Sequence, residues 1–229
     1  MIIFDIETMP LDDATLQSLC PPFDPASVKV GNLKDQAKID AKIEAARTEH
    51  ESSFIERAAL DATTGRVLAI GMLNTANGKR AILDATKPLL EETVLVRFWE
   101  KCLACRKSNH SMVGLNIFEF DLPFLVRRSW ILGVPVPREV LPTGRWWDSM
   151  FVDLRDKFTL GQWQSKPAAN FNAMAKAFGT SGKPVDENGE EINGKDFHKL
   201  WESDRDKAVA YLLSDLEQPA IWAEKMGII

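Results

Sequence analysis

At 229 residues and 45% apolar content the chain is long enough to bury a sizeable core, and it suits one α/β domain better than two small ones. Its 33 acidic against 28 basic residues, a net charge of −5, argue against a protein that holds nucleic acid by bulk electrostatics, though not against an enzyme that acts on it. Three cysteines make no disulfide framework, no run of about 18 apolar residues offers a membrane span, and no basic-then-apolar leader opens the chain, so it reads as cytoplasmic.

The first predicted element is a strand through Ile2, Ile3, Phe4, Asp5, Ile6, Glu7 and Thr8. A strand points alternate side chains the same way, so Asp5 and Glu7 share one face. Two carboxylates set into an apolar run repel each other and lose solvation unless something positive lies between them, and a divalent metal is the natural occupant. The plainer alternative is coincidence, because an acid-rich chain produces several pairs at this spacing.

Pro10, Pro21, Pro22 and Pro25 then break regular structure, and Leu33 to Leu60 forms a charged, Ala-rich helical excursion with Ile39, Ile43, Ala46, Phe54 and Ile55 at helical spacing. Its charges are a solvated face or a clamp on a substrate or partner. Strands are predicted over Arg66–Leu73 and Lys79–Leu83, joined as a hairpin through Asn77-Gly78. A helix follows over about Leu89 to Arg106, then a strand over Ser111 to Asn116 and a helix opening near Pro123. Cys102 and Cys105 fall in the first of these helices, where they read as small apolar residues rather than zinc ligands.

Trp147 to Leu154 predicts a short strand leading into a helix through Phe158. Asn170 to Phe178 is helical and closed by Gly179; Gly182 to Lys195 is a turn-rich loop, and Asp204 to Met226 a long final helix. Strands first, then alternating helix and strand, give a mixed sheet flanked by helices.

Two later segments carry chemistry. Asn116, Phe120 and Asp121 lie where a strand runs into a turn before a Pro-led helix. Asp121 is there the natural N-cap, although strand ends are also where α/β sites gather. Tyr211, the single tyrosine beside twelve phenylalanines and seven tryptophans, stands four residues before Asp215. On a helix the two share a face about 6 Å apart along the axis, and a buried hydroxyl needs a partner that Asp215 or a bound water could supply.

These three segments, in this order, resemble the exonuclease motifs of the DEDD superfamily, in its tyrosine-bearing branch. The histidine branch would want His where Ala210 stands. Asn116 placed ahead of Phe120-Asp121 is especially similar to the proofreading domains of family B DNA polymerases, and the chain resembles the predicted PolB-like exonuclease family over nearly its whole length. The resemblance implies a ribonuclease H-like α/β fold, a mixed sheet flanked by helices, forming a single exonuclease domain over residues 1–229 with a helical insertion at about 26–60. It leaves no chain here for a polymerase's fingers and palm.

The resemblance further implies 3′-to-5′ hydrolysis of single-stranded DNA ends by two divalent ions, Mg²⁺ or Mn²⁺. Asp5, Glu7, Asp121 and Asp215 would be metal ligands, with Tyr211 orienting the attacking water. Thr8, Met9, Asn116 and Phe120 would lie near the terminal nucleotide. Arg127, Arg128 and Lys183 are candidate phosphate contacts that read more simply as solvated surface charge. An exoribonuclease with the same site, or a non-catalytic nucleic-acid-binding module on the same fold, are the competing readings.

Overall fold

The apolar run at the start of the chain becomes β1 (Ile2–Pro10), the middle strand of a five-stranded sheet in a computed structural model described over residues 1–86, 88–141, 149–162, 169–185, 192 and 194–229. β2 (Gly65–Asn74) and β3 (Arg80–Asp84) are antiparallel neighbours on one side, and β4 (Met112–Gly114) and β5 (Phe151–Asp153) follow in parallel on the other, giving the order β3-β2-β1-β4-β5. The pleat of β1 divides the core. Ile2, Phe4 and Ile6 pack beneath α3 (Pro88–Lys107) and α4 (Asp121–Ile131), with Phe98, Trp99 and Leu125. On the opposite face Ile3 packs with Leu216 and Trp222 of α8 (Arg205–Lys225). The face that carries Asp5 and Glu7 is therefore roofed by the last helix.

The excursion after β1 holds α1 (Asp13–Leu19), which the proline-rich sequence hid, and α2 (Gln36–Arg57). Asp12 and Asp35 cap them by accepting backbone N–H bonds. No residue of α2 is buried, in keeping with its dense charge. The excursion is tied to the sheet at its root: Thr8 Oγ1 donates to the Ala59 carbonyl at 2.6 Å, and Thr64 Oγ1 to that of Ala58 at 3.0 Å.

One expectation is overturned here. Arg128 is not surface charge but 4% exposed, and it donates from Nε and Nη2 to both oxygens of buried Glu91 at 2.9 and 2.7 Å. Its Nη1 reaches the Ala62 carbonyl at 3.1 Å, while Glu91 Oε1 accepts the Val67 N–H at 2.8 Å. The pair joins α3, α4, β2 and the root of the excursion. Removing one member strands a buried charge, so Glu91→Ala is expected to cost about 3–5 kcal/mol in urea unfolding. A change below about 1 kcal/mol, the range of exposed pairs, would contradict this role.

β4 is shorter than predicted because Asn116 takes a left-handed φ of 62° that turns the chain out of the sheet. Asp153 holds that turn, accepting from the backbone N–H of Asn116 at 2.9 Å and of Phe118 at 3.1 Å. Of the strand predicted from Trp147, Trp147 itself and residue 148 lie outside the described residues; β5 begins at Phe151 and passes into α5 (Leu154–Phe158). α6 (Phe171–Phe178) ends on left-handed Gly179 as predicted. Half of the turn-rich loop, including Asn188-Gly189 and Asn193, also lies outside the described residues. After it comes α7 (Phe197–Ser203), an additional helix. No described helix is long and apolar enough to cross a membrane.

Candidate active site

Strand alternation brings Asp5 and Glu7 onto the α8 face of β1, and α8 sets Tyr211 and Asp215 one turn apart above them. The approach is close because Gly71 stands across from Asp5 on β2; a Cβ there would meet Leu212 and Leu216 of α8 at 3.0 Å. Immediately after Glu7 the pairing with β2 skips Leu68, a bulge of the kind that re-aims side chains beside sites. As a result one carboxylate oxygen each from Asp5, Glu7 and Asp215 lie within 4.8 Å of one another.

The fourth acid arrives from the side. β4 pairs with β1 only at Ile2 and Ile3, so the edge of β1 beyond them is open, and Asp121 Oδ1 accepts the Ile6 N–H there at 3.1 Å. Asp121 is the first residue of α4 rather than its N-cap, which is Phe120, and its carboxylate serves β1 instead of its own helix. Asp121 is 3% exposed, Asp215 5% and Glu7 6%.

Burial on this scale disfavours the ionised forms. Desolvation first, then the charges of Asp121 and Asp215, hold the Asp5 carboxyl well above the usual range. Glu7 is raised in the same way by burial, then by Asp5 and Asp215. Burial pushes Asp121 up to about 7 against the opposing Ile6 N–H bond. Asp215 is raised by burial although Lys183 pulls it down. Tyr211 is raised above the usual phenol range by burial and then by Asp215, so it is a neutral hydroxyl at physiological pH.

Lys183 is the residue the sequence misplaced. Its ammonium, 22% exposed, donates to Asp215 Oδ2 and to the Tyr211 hydroxyl, the latter at 2.8 Å, and lies 4.5 Å from the ring centres of Phe171 and Tyr211. Burial opposes its charge, but Asp215, Tyr211 and Asp5 together outweigh that and keep it protonated. A lysine in a turn-rich loop gives no local signal of this destination.

The other nominated residues divide. Thr8 is buried and its hydroxyl is engaged by Ala59; Met9 is half-buried beside the Tyr211 cluster. Asn116 Oδ1 accepts from Arg155 Nη1 at 2.7 Å, and half-buried Phe120 lies 5.7 Å from Phe124, centre to centre. Arg127 is exposed.

The donor set suits a hard divalent cation. Three carboxylates converge, no His or Cys joins them among the described residues, and Asp215 Oδ1 is buried with no hydrogen-bond partner, an acceptor that calls for a positive ligand.

Comparison with solved structures places the fold. The family B DNA polymerase from the hyperthermophilic archaeon Pyrobaculum calidifontis superposes with a TM-score of 0.61 at 18% identity, over 98% of this chain and 24% of that one. The chain thus spans about a quarter of the polymerase's length, and the shared architecture is the ribonuclease H-like α/β fold. No curated protein is significantly similar in sequence. A family model described as a predicted 3′-5′ exonuclease related to the exonuclease domain of PolB matches residues 58–216, a span that holds Asp121, Tyr211 and Asp215 and to which the fold adds Asp5 and Glu7 from β1. The chain belongs to this family of PolB-related exonuclease domains.

Proposed function

We propose that the chain is a metal-dependent 3′-to-5′ exonuclease that hydrolyses phosphodiester bonds at single-stranded DNA ends by a two-metal mechanism, with residues 1–229 acting as one domain and about 26–60 as its helical insertion. The convergence of Asp5, Glu7 and Asp215 within 4.8 Å carries this reading. Family membership and the likeness to a DNA polymerase support it.

Asp5, Glu7 and Asp215 would hold one Mg²⁺ or Mn²⁺, and Asp121 with Asp5 a second. Bound divalent ions supply the positive charge that acidifies an attacking water and offsets the charge growing on the departing 3′ oxygen. Tyr211, a protonated phenol whose oxygen already accepts from Lys183, has its own hydrogen to offer and orients the water or a phosphate oxygen rather than acting as a base. Lys183 offsets part of the negative field and faces the scissile phosphate. Met9, Asn116 and Phe120 would meet the terminal nucleotide, with Thr8 holding the end of the strand beneath it. Phe120 offers a ring on which any base can stack.

The test is an end-labelled assay. Purified protein is incubated with 5′-labelled DNA and RNA oligonucleotides in Mg²⁺, in Mn²⁺ and in chelator. Stepwise shortening of DNA from the 3′ end that stops in chelator is the expected result. Folded protein that cleaves neither polymer would overturn the reading in favour of a binding module, and equal processing of RNA would overturn the preference for DNA.

A further inference from the structure

Gln218 follows Asp215 by three residues on α8, and with Tyr211 the positions 211, 215 and 218 form one stripe along the helix. The residue is 5% exposed, and a buried amide must find partners or bear its desolvation. The Gly182 N–H donates to its Oε1 at 2.8 Å, and its Nε2 donates to the Gly182 carbonyl, also at 2.8 Å, and to Ser214 Oγ. One side chain thus pairs with both backbone groups of a single residue, as a neighbouring strand would.

That residue immediately precedes Lys183. Gly182 has a φ of +82°, and a Cβ there would meet Asn172 Oδ1 at 2.9 Å. The same Asn172 oxygen accepts the Lys183 N–H at 2.9 Å. The backbone at Gly182-Lys183 is therefore gripped by α8 through Gln218 and by α6 through Asn172. From there the lysine side chain crosses Phe171 and reaches Tyr211 and Asp215. Both ends of Lys183 are held by the same stripe of α8.

We propose that Gln218 is a positioning residue of the exonuclease site: through Gly182 it holds the Lys183 ammonium on the Tyr211 hydroxyl and the Asp215 carboxylate. Its catalytic consequence rests on the exonuclease reading above; its structural content does not. While Lys183 donates to the Tyr211 oxygen, the phenolic hydrogen points away from it toward another acceptor. If Lys183 withdraws, the hydroxyl is free to turn to Asp215 and is lost to the substrate.

Tyr211 is the only tyrosine, so protein made with 3-fluorotyrosine carries a single ¹⁹F resonance that senses this hydroxyl. In chelator at neutral pH, Lys183→Met supplies the reference displacement. Gln218→Met, of similar volume but without the amide, is expected to move the resonance in the same direction by at least half as much. Gln218→Glu, which keeps an acceptor for the Gly182 N–H, is expected to move it less. With metal and DNA, Gln218→Met should lower kcat about 10- to 100-fold while KM changes little, the scale of effects from groups that orient a metal site's ligands.

An unmoved resonance in folded Gln218→Met, beside a displaced one in Lys183→Met, overturns the proposal. So does an unmoved resonance in Lys183→Met, since the contact would then be absent. Failure of both Gln218 variants to fold would make the residue a plain part of the core and overturn it equally. If the wild type cleaves nothing, the resonance still decides whether Gln218 positions Lys183, so the two claims fail separately.

Discussion

Asp5→Asn is expected to abolish metal-dependent cleavage while making the metal-free protein more stable. The loss should be at least about 10³-fold in kcat, because Asp5 is proposed to hold both ions and their charge stabilisation goes with it. The gain follows from electrostatics. The Asp5 carboxyl is held well above its usual range by burial and by Asp121 and Asp215, so an ionised cluster at neutral pH is a strained one. An amide of the same shape relieves that repulsion, by about 0.5–2 kcal/mol, the common size of a single stabilising substitution. Thermal melts in chelator and the end-labelled assay read the two effects. A variant that loses activity and stability together would mark Asp5 as core structure rather than a ligand.

The second large effect is an inverted pH response in the absence of metal. Asp121 titrates near 3.8 when unperturbed and is pushed up to about 7 in the fold. Between those values the folded protein keeps a proton that the unfolded chain has released, so stability present below the lower value is lost as pH rises through the upper one. A displacement of this size corresponds to about 4 kcal/mol. Asp5 and Glu7, also raised, act in the same direction. Asp12, Asp61 and Asp204 are lowered and act oppositely, but they sit at or near the surface, where such effects are small.

Chelated protein should therefore melt at higher temperature under mildly acidic than under mildly alkaline conditions. Divalent ions, which need the ionised carboxylates, should reverse the trend. At a hundredfold excess over Kd they add about 2.7 kcal/mol, or roughly 5–10 °C for a chain of this size. A chelated melting temperature that climbs steadily from acid to alkali, with no response to Mg²⁺ or Mn²⁺, would contradict a shared carboxylate site.

Much of this centre was legible because its signals are local. Asp5 and Glu7 follow from the period of a strand and Tyr211 with Asp215 from the period of a helix, while Gly179 and the Asn77-Gly78 turn mark element ends by their backbone preferences. The parts that stayed hidden depend on partners far along the chain. Arg128 reads as an exposed helix residue until Glu91, on another helix, buries it. Lys183 reads as loop charge until Gln218 and Asn172 fix its backbone. Asp121 lies where a cap is expected, and only the short pairing of β4 reveals that its carboxylate belongs to β1. α1 was obscured by the prolines around it, although Asp12 caps it in the ordinary way.

The bond from Ile6 to Asp121 also works as a gauge of chain length. Six residues, 115–120, separate the end of β4 from Asp121, and both ends of that stretch are fastened to the sheet, one by strand pairing and the other by this single bond. Connecting segments usually tolerate gained or lost residues, but here one more or one fewer would carry the fourth acid off the strand edge. Relatives that share this centre are thus constrained in the residue count of this stretch, beyond what its buried Ile117 and turn-forming Asn116 already require.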